Sequence, residues 1–377
     1  MKILILSCNT GQGHNSAALA VQEQFVSMGH ECILKDSLAY VSKRYSDSIS
    51  VSYNKIVLHT PRAFGAGYRL SKAMKGRYFK SYAYAANMMC SGRIYEDIVK
   101  GNFDAIVCTH VFPGQAVTHV KHKYGLDIPL YIIGTDYSFA PFYNEIDAEK
   151  YFICMNEIIS EFTTRGIHVD KIAATGIPVS DKFNINTDKT HARLELGLDT
   201  DKKTCLIMSG SMGYGNIYDL IDRILHENIS DLQIIVIAGK NKKLKKGIDT
   251  EYNDDLRVKC IGYTDKVNLY MKACDVLITK PGGLSSTEAM VSNIPLILTK
   301  PIPGCETENF RLLTKLGCAL PGTKPKEAAF AVKSVLTDTS VSEKLIAMQN
   351  RYISKDSAKT IAECVLKGNA CINEFVS

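Results

Sequence analysis

Residues 279–309 read TKPGGLSSTEAMVSNIPLILTKPIPGCETEN, and the punctuation of this stretch decides the fold. The apolar run Val276-Leu277-Ile278 just before it has the length and composition of a buried parallel strand. Pro281-Gly282-Gly283 then frees the backbone for a tight turn, and a helix is expected from about Ser285 to Ser292. The residues entering that helix, Gly282, Gly283, Leu284 and Ser285, present backbone N–H groups and the positive end of a dipole, a seat for phosphate. Glu288 follows one turn in, where a carboxylate would repel phosphate but suits the two hydroxyls of a ribose. Pro295-Leu296-Ile297-Leu298 is the next strand, and the loop Pro301 to Asn309 supplies Glu306, Glu308 and Asn309, groups of the kind that read sugar hydroxyls. A Gly-Gly pair before a helix also suits an ordinary turn; only the whole run points to a nucleotide-sugar cradle.

A chain of 377 residues with 46% hydrophobic composition can bury two cores, and its length suggests two domains. It has no run of about 18 apolar residues and no signal-peptide pattern, so a cytosolic protein is expected. The twelve cysteines are scattered singly, mostly inside apolar runs, with no C-x-x-C and no Cys/His ligand spacing; reduced, packed thiols and no structural zinc are expected. Charge is uneven. Between Ser37 and Tyr95 ten cations face the single acid Asp47, a net +9 that leaves −3 for the rest of the chain.

Met1 to Ser7 reads as a first buried strand, Gly11-Gln12-Gly13-His14 as a turn, and Asn15 to Met28 as a helix closed by Gly29. A lone G-x-G there is weak evidence, and His14 at the turn suits either a general base or a helix cap. In the basic segment Tyr68, Tyr78, Phe79, Tyr82 and Tyr84 interleave with Arg69, Lys72, Lys75, Arg77 and Lys80. That pattern fits nucleic acid, an anionic membrane surface or a solvated helix face. Strands are expected at Phe103–Thr109, leading into His110, and at Leu130–Tyr137, ending in Thr135-Asp136; Asp136 suits orienting His14, binding an acceptor hydroxyl or capping a loop. After the strand Thr204 to Ser209 comes the turn Gly210-Ser211-Met212-Gly213, a second phosphate cradle before a helix from about Ile217 to Leu225. Asp199-Thr200-Asp201 has the D-x-D form of a metal clamp, but it sits in a polar turn, and helix dipoles suffice for a leaving diphosphate; no metal is expected.

The run K-P-G-G-x-x-x-x-E-A with the P-x-P-G-x-E-x-x-N loop resembles the donor-binding half of the monogalactosyldiacylglycerol synthase and processive diacylglycerol glucosyltransferase family, relatives of the peptidoglycan glycosyltransferase MurG. Gly11, Gly13, His14, Ser16, Ala17 and Ala18 fit that family's G-x-G-H-x-x-[AS]-A motif, and Thr109-His110 with Phe112-Pro113, Thr135-Asp136-Tyr137 and Gly176-Ile177-Pro178-Val179 match further motifs. The resemblance implies His14 as general base helped by Asp136, Glu288 on the ribose, Glu306 and Asn309 on the hexose, and backbone around Gly262 and Tyr263 against the base. Gly210, Ser211 and Gly213 would take phosphate. Gly13 and His110 would lie on the acceptor side, and Tyr68 with Arg69, Lys72, Lys75, Arg77 and Lys80 on an anionic membrane. Two departures stand out: Cys305 where many members carry Gln, and Ser138-Phe139-Ala140-Pro141 where relatives bring a His.

The expected architecture is α/β: a GT-B fold of two Rossmann-like doubly wound domains facing a cleft. Residues 1–180 would bind acceptor and membrane, 181–203 would be a hinge, 204–345 would bind the UDP-sugar, and 346–377 would form a helix crossing back. The implied activity is inverting transfer of glucose or galactose from a UDP-sugar to 1,2-diacylglycerol on the inner face of a membrane, with no cofactor and no nucleic acid. A UDP-GlcNAc-dependent transferase with a polyprenyl-linked acceptor, and a non-catalytic UDP-sugar sensor, are the alternatives.

Overall fold

The computed structural model describes residues 1–9, 11–44, 46–49, 51, 60–73, 81, 84, 88–208 and 216–368. The chain divides into two compact units, Met1–Asp181 with Pro303–Cys305 and Ser354–Ser377, and Lys182–Ile302 with Glu306–Ile353.

In the first unit β1 (Lys2–Ser7), β2 (Glu31–Asp36), β3 (Ala105–Cys108), β4 (Leu130–Ile133), β5 (Lys150–Ile153) and β6 (Ile172–Ala174) form one sheet in the order β2-β1-β3-β4-β5-β6. Every pairing is parallel. A parallel sheet covered on both faces needs strands that are apolar throughout, which is why ILIL, AIVC and LYII show no alternation. Ile3, Ile5, Val107, Ile133 and Phe152 pack against Ala18, Val21 and Phe25 of helix Gln12–Ser27 and against Ile361, Ala362 and Val365 of helix Ser357–Lys367. Each such Ile, Val or Phe contributes about 1.5–3 kcal/mol by burial, so packing rather than local propensity holds these short strands. Strand order runs outward in two directions from the β1/β3 pair, making their carboxyl ends a topological switch point.

The second unit repeats the plan. β7 (Lys203–Met208), β8 (Leu232–Ile237), β9 (Val258–Ile261), β10 (Val276–Thr279), β11 (Leu296–Leu298) and β12 (Leu320–Pro321) are ordered β12-β11-β10-β7-β8-β9, again all parallel. This is the 3-2-1-4-5-6 order of dinucleotide-binding folds, with its switch point between β7 and β10. Ile207, Ile234, Val236 and Ile278 pack with Ile221 and Ile224 of helix Ile217–Leu225 and Val332 of helix Pro325–Thr337. The polar stretch read as a hinge is docked in this unit from Lys182 onward: buried Arg193 donates to the carbonyls of Ala273 (2.9 Å) and Thr200 (2.6 Å) and pairs with Asp275 at 2.7 Å. Helix Thr339–Tyr352 also stays here, and the chain joins the first unit at Ser354. Among the described residues ten cysteines are free thiols and Cys364 is disulfide-bonded, which departs from the expectation of reduced thiols throughout. Among the described residues no helix is long and apolar enough to cross a membrane.

The returning helix explains one glycine. Gly176 has φ +93°, and a Cβ there would lie 3.1 Å from Ser354 Cβ and 3.2 Å from Ser357 Cβ and Oγ. Gly176→Ala therefore combines backbone strain with a clash against helix Ser357–Lys367, and urea denaturation should show a loss of about 2–3 kcal/mol. A loss below the reach of the measurement would contradict the close approach.

Candidate functional site

The first unit gathers its polar groups at the β1/β3 switch point. Helix Gln12–Ser27 begins at Gln12, so Gly13 and His14 lie in its first turn rather than in the preceding loop; Gly11 takes the N-cap position with extended backbone and no side-chain cap. His14 Nδ1 lies 2.8 Å from the Thr109 carbonyl oxygen at the end of β3 and 3.0 Å from Thr135 Oγ1 after β4. A carbonyl only accepts, so Nδ1 carries the proton and Nε2 keeps its lone pair. Burial lowers the His14 pKa below the ordinary imidazole value, while the negative charge of Asp136 and the Thr109 carbonyl pull it partly back up. The His14 ring is therefore neutral at neutral pH with the lone pair of Nε2 unprotonated, and the charge of Asp136 favours the protonated form.

His110 abuts it, the two ring centroids 4.6 Å apart and the planes at 89°. It caps helix Val111–Tyr124, its Nδ1 accepting from the Phe112 N–H at 3.1 Å. Burial, then the neighbouring His14, push its pKa well below the ordinary value. Ser138, at the place where relatives bring a His, is buried with its hydroxyl unpartnered.

The second unit places Lys280-Pro281-Gly282 after β10, beside the end of β7. Gly282 is the N-cap of helix Gly283–Val291, with no side-chain cap over the N–H groups of Gly283, Leu284 and Ser285. Its φ of −75° is open to any residue, and among the described residues a Cβ there would meet nothing within 4 Å. None of them demands a glycine here; bare backbone at an uncapped helix start leaves an anion free to approach. Ser286, fully buried in the same first turn, has an unpartnered hydroxyl. Glu288 follows one turn in, its carboxyl pushed up to about 7 by burial against a weaker downward pull from Lys182.

Two residues read as sugar contacts are hydrogen-bonded within the unit. Glu306 is 8% exposed; one oxygen pairs with Lys280 Nζ at 2.8 Å and the other accepts from Ile302 N–H at 3.0 Å. Asn309, 0% exposed, donates from Nδ2 to the Pro281 carbonyl at 3.0 Å. Together they fasten helix Cys305–Lys315 to the turn that opens the anion seat, because a buried carboxylate or amide has to satisfy its hydrogen bonds within reach. Glu308 is half-buried and pairs with Arg311 at 3.3 Å. Gly262 is half-buried and Tyr263 exposed, with Lys240 5.6 Å from its ring centroid. Gly210, Ser211 and Gly213 lie outside the described residues.

Helix Pro61–Ala73 carries Arg62, Tyr68, Arg69 and Lys72 of the basic segment. Arg62, Arg69 and Leu70 are exposed, whereas Tyr68 is half-buried with its hydroxyl shielded, so it faces inward and not toward a bilayer as read from sequence. Lys72 lies in the same helix; Lys75, Arg77 and Lys80 lie outside the described residues. Among the described residues no cluster of three or more His, Cys, Asp or Glu side chains is arranged to hold a metal ion.

Thr109 and Thr135 hold the His14 ring, and neither stands out as a site residue in the sequence. The T-H and T-D motifs contained them; the Thr109 contact is made by a main-chain carbonyl, which has no residue signature.

Residues 14–179 match the model of monogalactosyldiacylglycerol (MGDG) synthase, and residues 204–361 match the glycosyltransferase family 28 C-terminal domain. A processive diacylglycerol beta-glucosyltransferase of Bacillus pumilus is 29% identical over 97% of this chain and 94% of its own. Among solved structures, Acinetobacter baumannii MurG superposes with a TM-score of 0.65 at 13% identity, covering 97% of this chain and 99% of that one. Anabaena HepE, solved with UDP-glucose, superposes at 0.59 and 13% identity over 97% and 99%. The fold shared with these structures is GT-B.

The raised Glu288 carboxyl has a measurable consequence. A folded-state pKa above the ordinary 4.5 means that its stabilising contribution is complete below that value and is lost as pH rises through about 7. The wild type should lose up to about 3 kcal/mol across that window, and Glu288→Gln should remove that part of the slope in denaturation series at stepped pH. An unchanged slope would place the carboxyl in water.

Proposed function

Because the chain belongs to the monogalactosyldiacylglycerol synthase and family 28 glycosyltransferase group, we propose that it transfers glucose from UDP-glucose to the free hydroxyl of 1,2-diacylglycerol, inverting the anomeric centre. The observation that carries the reading is His14, a half-buried neutral imidazole whose Nδ1 is held by the Thr109 carbonyl and whose Nε2 is left as a base. Glucose is favoured over galactose by the names of the curated relatives, including that of Bacillus subtilis at 26% identity.

The acceptor oxygen attacks C1 of the hexose as its proton passes to His14 Nε2, and the bond from C1 to the diphosphate oxygen breaks on the opposite side. The imidazolium so formed is stabilised by Asp136. UDP leaves with its charge against the uncapped N–H groups of helix Gly283–Val291, and Glu288 receives the ribose hydroxyls. Ser211 and Gly213 would supply further donors to the diphosphate. The exposed Arg62, Arg69 and Leu70 support peripheral attachment to an anionic membrane, at about 1 kcal/mol per basic residue near the surface, on the inner face of the cell membrane.

The test offers radiolabelled UDP-glucose and UDP-galactose separately with dioleoylglycerol vesicles, followed by chromatography of the lipid extract. Labelled glucosyl-diacylglycerol is the expected product; a product without diacylglycerol would reject the acceptor. His14→Ala should reduce turnover by about 1,000-fold or more while UDP affinity stays within about twofold. With donor saturating, kcat should fall on the acid side only below the ordinary imidazole range, since the lowered His14 pKa keeps the base unprotonated there. Equal loss of turnover and UDP affinity in His14→Ala would remove its assignment as base.

A further inference from the structure

Two backbone groups fix two imidazoles in opposite states. The Thr109 carbonyl can only accept, so His14 has its proton on Nδ1 and a lone pair on Nε2. The Phe112 N–H can only donate, so His110 has its lone pair on Nδ1 and, being neutral, its proton on Nε2. Both Nδ1 atoms are thus tied to the main chain of residues 109–112, and both Nε2 atoms lie on the far sides of rings whose centroids are 4.6 Å apart. One ring offers an acceptor, its neighbour a donor. An alcohol oxygen needs that pair, one group to take its proton and one to hold its lone pair.

We propose that His110 is a catalytic residue for the acceptor: its Nε2–H donates to the hydroxyl oxygen of the incoming alcohol while His14 Nε2 accepts that hydroxyl's proton. The proposal rests on the reading of His14 as base and adds the partner that fixes the oxygen. As the O–H bond breaks, its proton moves to His14 Nε2, the electron pair stays on oxygen to form the bond to C1, and the proton of His110 stays in place. The His110 donor fixes the direction of attack, and it is matched to an alcohol or another hydroxyl-bearing acceptor.

His110 also caps a helix, and two substitutions separate the roles. His110→Asn keeps an acceptor for the Phe112 N–H but loses the distal donor; His110→Gln keeps an N–H at about the reach of Nε2 and gives up the cap. Each variant is assayed with UDP-glucose and dioleoylglycerol vesicles, with UDP affinity by calorimetry and thermal melting alongside. Melting of His110→Asn should stay close to wild type, while its kcat falls about 30-fold or its acceptor KM rises by as much, and UDP affinity is unchanged. His110→Gln should retain more activity than His110→Asn despite the lower melting temperature. His110→Asn as active as wild type, or more active than His110→Gln, would overturn the proposal and leave His110 a helix cap. His14→Ala, run in parallel, keeps the two readings apart: its activity would defeat the base assignment itself, whereas a wild-type His110→Asn beside an inactive His14→Ala would defeat only the role of His110.

Discussion

The 2.8 Å hydrogen bond from His14 Nδ1 to the Thr109 carbonyl is the constraint on which the first unit's chemistry depends. It exists because β1 and β3 are neighbours in a parallel sheet, with Leu6 in register with Cys108, so the helix that follows β1 starts beside the end of β3. The sheet in turn depends on apolar strands buried on both faces, which sets the register by packing. A one-residue change in that register would move the Thr109 carbonyl away from the ring and release the tautomer. The state of the ring is thus a property of the core as much as of the histidine.

The second unit applies the same plan to a different charge. An uncapped helix start after β10 offers positive potential, and the groups beneath it are spent on holding the turn: Asn309 on the Pro281 carbonyl, Glu306 on Lys280 and on Ile302 N–H. Removing a carboxylate from such a pair leaves a cation and an N–H without their partner, at a cost larger than the net worth of the pair. Burial acts on both units' titrating groups in the directions expected for their charge, lowering the pKa of His14 and raising that of Glu288. Each is left neutral over more of the pH scale than it would be in water.

Much of this was legible in the sequence. The strands around Ile3, Ile106, Ile132, Ile207 and Ile278 are visible as unbroken apolar runs, and the helix Ile217–Leu225 has the bounds expected from the sequence. The Gly-rich turns marked the carboxyl ends of β1 and β10. What escaped were contacts made by the main chain or by a side chain turned inward. Thr109 acts through its carbonyl, which any residue type would supply. Tyr68 looked like a headgroup anchor because its neighbours are basic, yet helical spacing turns it to the buried face while Arg62, Arg69 and Leu70 face solvent. Glu306 and Asn309 have the chemistry of sugar readers, and composition alone does not separate a carboxylate that faces a ligand from one that braces a loop. The polar stretch 181–203 has a hinge's composition because charge suggests solvent, yet buried Arg193 ties it to the second unit through two carbonyls and a carboxylate.

Main-chain partners hold the His14 and His110 rings in complementary tautomers. Long-range proton–nitrogen correlation spectra of protein labelled with 15N-histidine, recorded above the titration range of imidazole and assigned with single-histidine variants, read those tautomers directly. His14 should show a proton on Nδ1 and a bare Nε2, and His110 the reverse. A His14 spectrum with the proton on Nε2 would contradict that assignment.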